Sequence, residues 1–130
     1  MNKDSEDESI IKDIGLLMTT YNRPKYVWKT LRSLKKSDLG LLRRIIIVDD
    51  GSNSKITLWF IKRFNVDNIK VDVIIKERDG NKIHTSMLKG WNILYKDDQI
   101  NFICNLDSDT IVKRHWLKEL KKNICKGKKW

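Results

Sequence analysis

Two carboxylates separated by one residue, Asp107 and Asp109, lie within Phe102–Val112, which reads FICNLDSDTIV. The apolar run Asn101–Asn105 has the length of a buried strand, and the two acids come directly after it. In an extended segment, side chains two residues apart point the same way, so we expect the carboxylates side by side. Such a pair is costly unless it shares a proton, holds a cation or lies in water. Oxygen ligands of this kind suit Mg²⁺ or Mn²⁺, and the alternative is a solvated acidic turn before a helix.

Two other polar clusters also follow apolar runs. Thr19–Pro24 follows the run Ile14–Met18, and Asp49–Ser54 follows the isoleucine-rich run Arg44–Val48. Ligands of open parallel sheets bind beyond the carboxyl ends of the strands, so we expect all three clusters on one rim. There they would offer the Tyr21 ring, carboxylates and a cation site, a combination that suits a nucleotide diphosphate.

Strand and helix patterns alternate four times along the chain. The strands are uniformly apolar, which is typical of a mainly parallel sheet covered on both faces. We predict an α/β sandwich with four strands in the order 3-2-1-4. The third strand is Val71–Ile75. The first predicted helix begins near Lys25, with Tyr26, Val27, Leu31 and Leu34 at helical spacing, and the second begins near Ser54, with an apolar stripe of Ile56, Trp59, Phe60 and Phe64. The third is Ile83–Tyr95, with Ile83, Met87, Trp91 and Leu94 on one side, and the last is about Lys113–Ile124, with Trp116, Leu117, Leu120 and Ile124 inward.

The 130 residues, 40% of them hydrophobic and 34% charged, are typical of one globular domain. We predict a disordered acidic leader at residues 1–12 and a single domain at 13–130. No apolar run approaches the length of a membrane span, and the acidic start differs from a signal peptide. These features predict a cytoplasmic protein whose two cysteines, Cys104 and Cys125, are reduced thiols.

The net charge of +10 predicts an anionic partner. No zinc-finger spacing, RNP-like aromatic strand or Gly-rich clamp accompanies it, so we expect a phosphate compound rather than nucleic acid. The end of the chain is strongly basic, which makes peripheral contact with an anionic membrane a second hypothesis beside a solvated helix face. The residues in question are Lys113, Arg114, Lys118, Lys121, Lys122, Lys126, Lys128 and Lys129.

Three motifs, MTTYNRP, IIIVDDGSNS and NLDSDT, together resemble the nucleotide-binding half of a GT-A glycosyltransferase of family 2, over about Ile14–Leu120. The resemblance implies a Rossmann-like fold and transfer of a sugar from a nucleotide diphosphate donor, UDP-linked and with inversion. It implies that the Tyr21 ring stacks on the base, that Asp50 accepts its ring N–H, and that Asp107 and Asp109 hold Mn²⁺ or Mg²⁺ against the phosphates. The residues predicted to bind nucleotide are Thr19, Tyr21, Asn22, Arg23, Asp50, Asp107 and Ser108.

The chain departs from the family pattern in two places. Before the fourth strand, where relatives carry a Gly/Ala/Asn-rich stretch, it reads NKIHTSMLKGWN, and His84, Lys89 and Arg78 either reach the donor or form a solvated face. The acceptor half and the general base of the family lie downstream, yet Glu119 is the one acid after Asp109. The sequence therefore identifies no catalytic base. We expect donor binding, with a longer polypeptide, a partner subunit or a dimer completing the site for an unknown acceptor.

Three alternatives from other classes remain open. LDSDTIV also resembles the nucleophile motif of haloacid-dehalogenase-type phosphatases, but few residues follow it. VDD after a strand resembles phosphoacceptor receiver domains, in which the YNRP loop has no function. The third alternative is a basic module that binds nucleotides or polyanions without catalysis, for which RNA binding with a steep salt dependence would be evidence. Metal-dependent binding of a sugar nucleotide separates the glycosyltransferase from all three.

Overall fold

The computed structural model describes residues 11–78 and 83–125, which form four strands and four helices in strict alternation. The sheet is parallel throughout and has the order β3-β2-β1-β4, as predicted. The strands are β1 (Ile14–Thr20), β2 (Leu42–Asp49), β3 (Lys70–Ile75) and β4 (Phe102–Asp107), and the helices are α1 (Pro24–Lys36), α2 (Lys55–Arg63), α3 (Ile83–Tyr95) and α4 (Trp116–Cys125).

The register of the central strand brings three strand ends to one edge. Thr20 of β1 pairs with Asp49 of β2, and Thr19 pairs with Asp107 of β4. Both β1 and β4 continue two residues beyond the predicted ends, Met18 and Asn105. Because parallel strands point their carboxyl ends the same way, the loops that follow β1, β2 and β4 all leave from this edge.

Alternating side chains of β1 supply the core on both faces of the sheet. Leu16 and Met18 pack in the layer that contains α1, α2 and α4, whereas Leu17 packs in the layer that contains Leu94 of α3. These side chains are at most 1% exposed. Burial of each stabilises the fold by about 1.5–3 kcal/mol. The prediction of helices on both faces is therefore confirmed.

The inward face of α2 differs from the predicted apolar stripe. Ile56 and Trp59 are 58% and 54% exposed, while Thr57 and Ile61 are fully buried. The Ser54 hydroxyl caps the helix by accepting from the Thr57 amide, and this fixes where the helix starts. With that start, the pair Thr57 and Ile61, four residues apart, faces the sheet. Phe60 and Phe64 of the predicted stripe do pack against the core, so the prediction was wrong for Ile56 and Trp59 only.

The inward face of α3 was also predicted wrongly in part. Trp91 is 42% exposed, and the buried row is Ser86, Gly90 and Leu94. A Cβ atom at position 90 would overlap the Leu17 side chain, so glycine lets α3 approach β1 closely. The mid-helix glycine that weakens the sequence pattern is thus the point at which the helix contacts the sheet.

The last helix begins at Trp116, three residues after the predicted start. The backbone amide of Asp38 donates to the Arg114 carbonyl, and the Trp116 indole donates to the Ser37 hydroxyl. These bonds hold the segment before the helix against the end of α1, in a conformation that is not helical.

No helix among the described residues is long and apolar enough to cross a membrane. Most of the predicted acidic leader lies outside the described residues, as do the last five lysine-rich positions and the Ile124 side chain.

A buried acid joins the first strand to the last helix. Asp13 is 4% exposed and accepts from Lys121 Nζ at 2.7 Å and Asn101 Nδ2 at 2.9 Å. Burial alone would raise the pKa of Asp13, but the hydrogen bonds from Lys121 and Asn101, with the Lys121 charge, hold that pKa below its usual value. Lys121 also donates to the Ile11 carbonyl, so this lysine binds within the chain rather than extending into solvent.

Candidate functional site

A cavity of about 470 Å³ opens at the edge where β1, β2 and β4 end. It brings together six of the seven residues predicted to bind nucleotide, and both predicted metal ligands. Its lining residues are Thr19, Thr20, Tyr21, Arg23, Asp50, Arg78, Ser86, Asp107, Ser108 and Asp109. The convergence follows from the parallel register, because each polar cluster continues from a strand that ends at this edge.

Asn22, the seventh predicted nucleotide ligand, holds two loops together instead of lining the cavity. Its side-chain oxygen accepts from the backbone amides of Asn53 and Ser54, and its backbone amide donates to the Ser52 hydroxyl. Asn22 and Arg23 both have left-handed backbone angles, with φ of 52° and 55°. Asparagine tolerates this conformation better than arginine does, and such backbone strain is common in loops that shape a binding site.

The adjacent acids Asp49 and Asp50 do different things. Asp49 is fully buried and accepts from the Thr20 hydroxyl at 2.7 Å and from the amide and hydroxyl of Ser52 at 2.7 and 2.6 Å. These bonds fasten the end of β1 to the turn after β2. Asp50 instead lines the cavity. The contacts of Asp49 support its structural interpretation, which the sequence left open.

Two cations that follow β3 contact Asp50. Lys76 Nζ lies 2.6 Å from Asp50 Oδ1, and Arg78 Nη1 lies 3.8 Å from Asp50 Oδ2. The Arg78 guanidinium also lies 3.8 Å from the centre of the Tyr21 ring. Sequence reasoning missed Lys76, although it directly follows an apolar strand, as the three recognised clusters do. Three residues before β4 were considered as possible donor ligands. Arg78 lines the cavity, Lys89 of α3 is exposed and not among the lining residues, and the His84 side chain lies outside the described residues.

Gly51 allows the segment after β3 to reach the cavity. Its φ is +76°, a left-handed conformation that other residues rarely adopt. A Cβ atom there would lie 2.6 Å from the backbone nitrogen of Arg78. Glycine is therefore required twice at this position, once by the turn after Asp50 and once by the close approach of Arg78.

The geometry predicted for Asp107–Asp109 was wrong in one respect. The Thr110 amide donates to the Asp107 carbonyl at 3.1 Å, so the segment turns directly after β4 and is not extended. The Ser108 carbonyl accepts from the Thr30 hydroxyl of α1 at 2.8 Å, which fixes the turn in place. Asp107 and Asp109 nevertheless line the same cavity, and both are exposed.

The carboxylates of Asp107 and Asp109 suit a hard divalent cation whose remaining ligands are water and substrate oxygen atoms. Within residues 11–78 and 83–125, no group of three or more His, Cys, Asp or Glu side chains has a metal-binding arrangement. Two carboxylates beside a cavity fit Mg²⁺ or Mn²⁺, which retain water and take oxygen atoms from substrate phosphates. The same pair fits a closed structural zinc site poorly, because such a site needs four protein ligands. Glu119 lines two other cavities and is not among the residues that line this one.

Sequence comparison finds curated relatives that are much longer than this chain. The poly(ribitol-phosphate) beta-N-acetylglucosaminyltransferase TarS of Staphylococcus aureus, strains Mu50 and MW2, is 28% identical over 107 residues. The match covers 81% of this chain and 18% of TarS.

Solved structures of the same relative share the fold. The crystal structure of S. aureus TarS 1–349 in complex with UDP-GlcNAc superposes with a TM-score of 0.67 at 24% identity, covering 88% of this chain and 31% of that one. TarS 1–349 without that ligand gives 0.66 with 32% of its chain covered. These matches support the GT-A architecture, with the four-stranded parallel sheet at its centre.

A protein-family model describes nearly the whole chain. The model for glycosyl transferase family 2 matches residues 16–129, a range that contains all three motifs and every residue lining the cavity. By this match, and in agreement with its fold, the chain belongs to glycosyl transferase family 2.

Proposed function

We propose that this chain binds a UDP-sugar and a divalent cation in the cavity at the carboxyl edge of the sheet, as the donor-binding part of a glycosyltransferase. The single observation that carries the proposal is the convergence of Tyr21, Asp50, Asp107 and Asp109 around one cavity of about 470 Å³. A volume of this size suits a nucleotide-sized ligand. UDP-GlcNAc is the first donor to test, because it is bound in the TarS structure.

The base is proposed to lie against Tyr21, with its ring N–H donating to Asp50. Lys76 holds Asp50 Oδ1 at 2.6 Å and thereby orients the carboxylate, leaving Oδ2 directed toward the ligand. Arg78, which stacks over Tyr21, contributes a positive charge at the same end of the cavity. A ring N–H that donates to a carboxylate distinguishes uracil from adenine and cytosine, which lack that donor.

The diphosphate is proposed to lie toward the turn after β4. Asp107 and Asp109 would hold Mg²⁺ or Mn²⁺ there, and the bound ion would neutralise charge on the leaving nucleotide. The Thr30–Ser108 bond and the Thr110–Asp107 bond fix the turn before ligand arrives, so less ordering is required on binding. Arg23, on the opposite loop, supplies a second positive group to the cavity.

Sugar transfer itself, with inversion, is proposed from family membership. It requires an acceptor hydroxyl and a base within hydrogen-bond reach of it. Neither is identified among the described residues. A polyol-phosphate acceptor is worth testing first, since the curated relative acts on poly(ribitol-phosphate).

Thermal unfolding with nucleotides tests the proposal. UDP and UDP-GlcNAc should raise the midpoint by several degrees with Mn²⁺ present, because ligand at a hundredfold excess over Kd stabilises the native state by about 2.7 kcal/mol. ADP should raise it less, and chelation with EDTA should abolish the UDP effect.

A matched pair of variants tests the site. Asp107→Asn should lose the metal-dependent shift, whereas Asp67→Asn, which changes an exposed acid outside the cavity, should keep it. Equal shifts with UDP and ADP, unaffected by Asp107→Asn, would contradict a uridine diphosphate site here.

A further inference from the structure

A second surface lies between α1 and α2, apart from the donor cavity. A groove of about 400 Å³ runs between the two helices, with two tryptophans and four cations along it. We call this surface the α1–α2 face, and it consists of Trp28, Arg32, Lys35, Lys36, Trp59 and Arg63. None of these side chains lines the donor cavity.

All charged side chains on α1 and α2 are positive. Lys25, Lys29, Arg32, Lys35 and Lys36 on α1, and Lys55, Lys62 and Arg63 on α2, are all exposed, and neither helix contains an acidic residue. Like charges this dense repel one another, so they lower stability unless an anionic partner compensates them. The partner of this face should therefore be negatively charged.

The same face exposes unusually large apolar side chains. Trp28 is 41% and Trp59 54% exposed, and Ile56, which precedes Trp59 by three residues on α2 and borders the face, is 58% exposed. Ile56, Trp59 and Arg63 follow one another at positions i, i+3 and i+7, so they form one row along α2. Tryptophan is enriched where a membrane meets water, since its ring is apolar and its N–H remains hydrated.

The tryptophan rings already have a cation over them. The Arg32 guanidinium lies 5.0 Å from the Trp28 ring centre, and that of Arg63 lies 4.6 Å from the Trp59 ring centre. Each arginine covers one face of its tryptophan ring, so a nucleic-acid base could stack only on the opposite face or after displacing the arginine. A lipid headgroup layer requires no such displacement, because the guanidinium groups can contact phosphates while the rings and Ile56 reach the acyl boundary.

We propose that the α1–α2 face binds an anionic lipid surface. This surface is separate from the basic end of the chain, for which membrane contact was hypothesised above and of whose cations Lys121 is bound to Asp13. The proposal is independent of the donor site, and it adds an interaction surface to the proposed glycosyltransferase.

Co-sedimentation with vesicles of phosphatidylglycerol or phosphatidylcholine tests the proposal on the whole chain. Binding to the anionic vesicles, weakened by salt, is expected, with little binding to neutral ones. Arg32→Gln/Arg63→Gln should weaken it roughly 25-fold, since each basic residue near an anionic membrane contributes roughly fivefold. Lys118→Gln/Lys122→Gln removes the same charge from exposed positions on α4 and should have a much smaller effect.

Two further measurements separate the possible partners. Lipids with brominated acyl chains should quench the fluorescence of the parent chain, and Trp28→Phe/Trp59→Phe should remove most of that quenching. Equal weakening by the α1–α2 and α4 variants, or quenching that persists in the phenylalanine variant, would overturn the assignment. Arginine-dependent binding of single-stranded RNA without binding of anionic vesicles would overturn it in favour of a polyanion surface.

Discussion

Lys76 Nζ lies 2.6 Å from Asp50 Oδ1, whereas Asp50 Oδ2 lies 3.8 Å from Arg78, outside hydrogen-bond distance. One carboxylate oxygen is therefore hydrogen-bonded within the protein, and the other is the one that we propose to accept from the base of the ligand. Asp49, one residue earlier, has donors from Thr20 and Ser52 on both oxygens. The two neighbouring acids should accordingly respond differently to substitution.

Asp50→Ala should weaken UDP binding, and Asp49→Ala should mainly destabilise the fold. The first change leaves a ligand N–H unpaired and costs about 1–3 kcal/mol of binding free energy. The second leaves three donors, the Thr20 hydroxyl and the amide and hydroxyl of Ser52, without their acceptor, and should lower the free energy of unfolding by at least a similar amount. Calorimetric titration with UDP and ADP, together with urea unfolding, measures both effects. Equal losses of UDP affinity in the two variants, or an equal loss for ADP, would show that neither acid recognises the base.

Asp109→Ala should remove the Mn²⁺-dependent part of stabilisation by UDP. The variant leaves Asp107 as the sole side-chain carboxylate at the turn after β4, and one carboxylate holds a divalent ion more weakly than two. Thermal unfolding with a Mn²⁺ titration at fixed UDP measures the change. Asp98→Ala, at an exposed acid outside the cavity, is the control. A metal dependence that survives Asp109→Ala would contradict the assignment of this residue as a ligand.

Gly90→Ala should destabilise the protein although alanine favours helices. The gain in helix propensity is about 1 kcal/mol, and overpacking against Leu17 costs about 1–3 kcal/mol. The added methyl group should be tolerated better with Leu17→Ala, so the double variant should be more stable than the sum of single effects predicts. Urea unfolding of the four proteins measures this coupling, and Gly40→Ala at an exposed position is the control. Additive effects would show that α3 adjusts its distance from β1 at little cost.

Lys121→Met should lower stability near neutral pH and have less effect in acid. The pKa of Asp13 lies below its ordinary 3.8, so the interaction stabilises the native state above that value. As the pH falls below 3.8, Asp13 binds a proton in the unfolded state before it does so in the native state. The contribution of the Asp13–Lys121 interaction to the free energy of unfolding is lost as the pH approaches the lower native pKa. Urea unfolding between pH 3 and pH 7 follows this change, with Lys118→Met as control. A loss of stability that is the same at pH 3 and pH 7 would contradict it.

The sequence by itself determined the elements and the family. Short apolar runs and helical spacing gave four strands and four helices near their observed positions, because these patterns depend on neighbours within a few residues. The positions of the three motifs after apolar strands predicted that Asp50, Asp107 and Asp109 meet at one edge of the sheet, because residues that follow parallel strands converge there. Gly51 and the αL residues Asn22 and Arg23 belong to those same motifs.

Only the tertiary structure decided which face of each helix is buried and which polar group meets which partner. The buried row of α3 depends on Gly90 fitting against Leu17, a residue more than seventy positions away. The contact of Lys76 with Asp50 depends on β3 lying beside β2. Such contacts join residues that are distant along the chain, and a local pattern contains no information about them. The exposure of Trp59 likewise follows from how the whole helix docks on the sheet, since burial is a property of the packed layers rather than of the side chain.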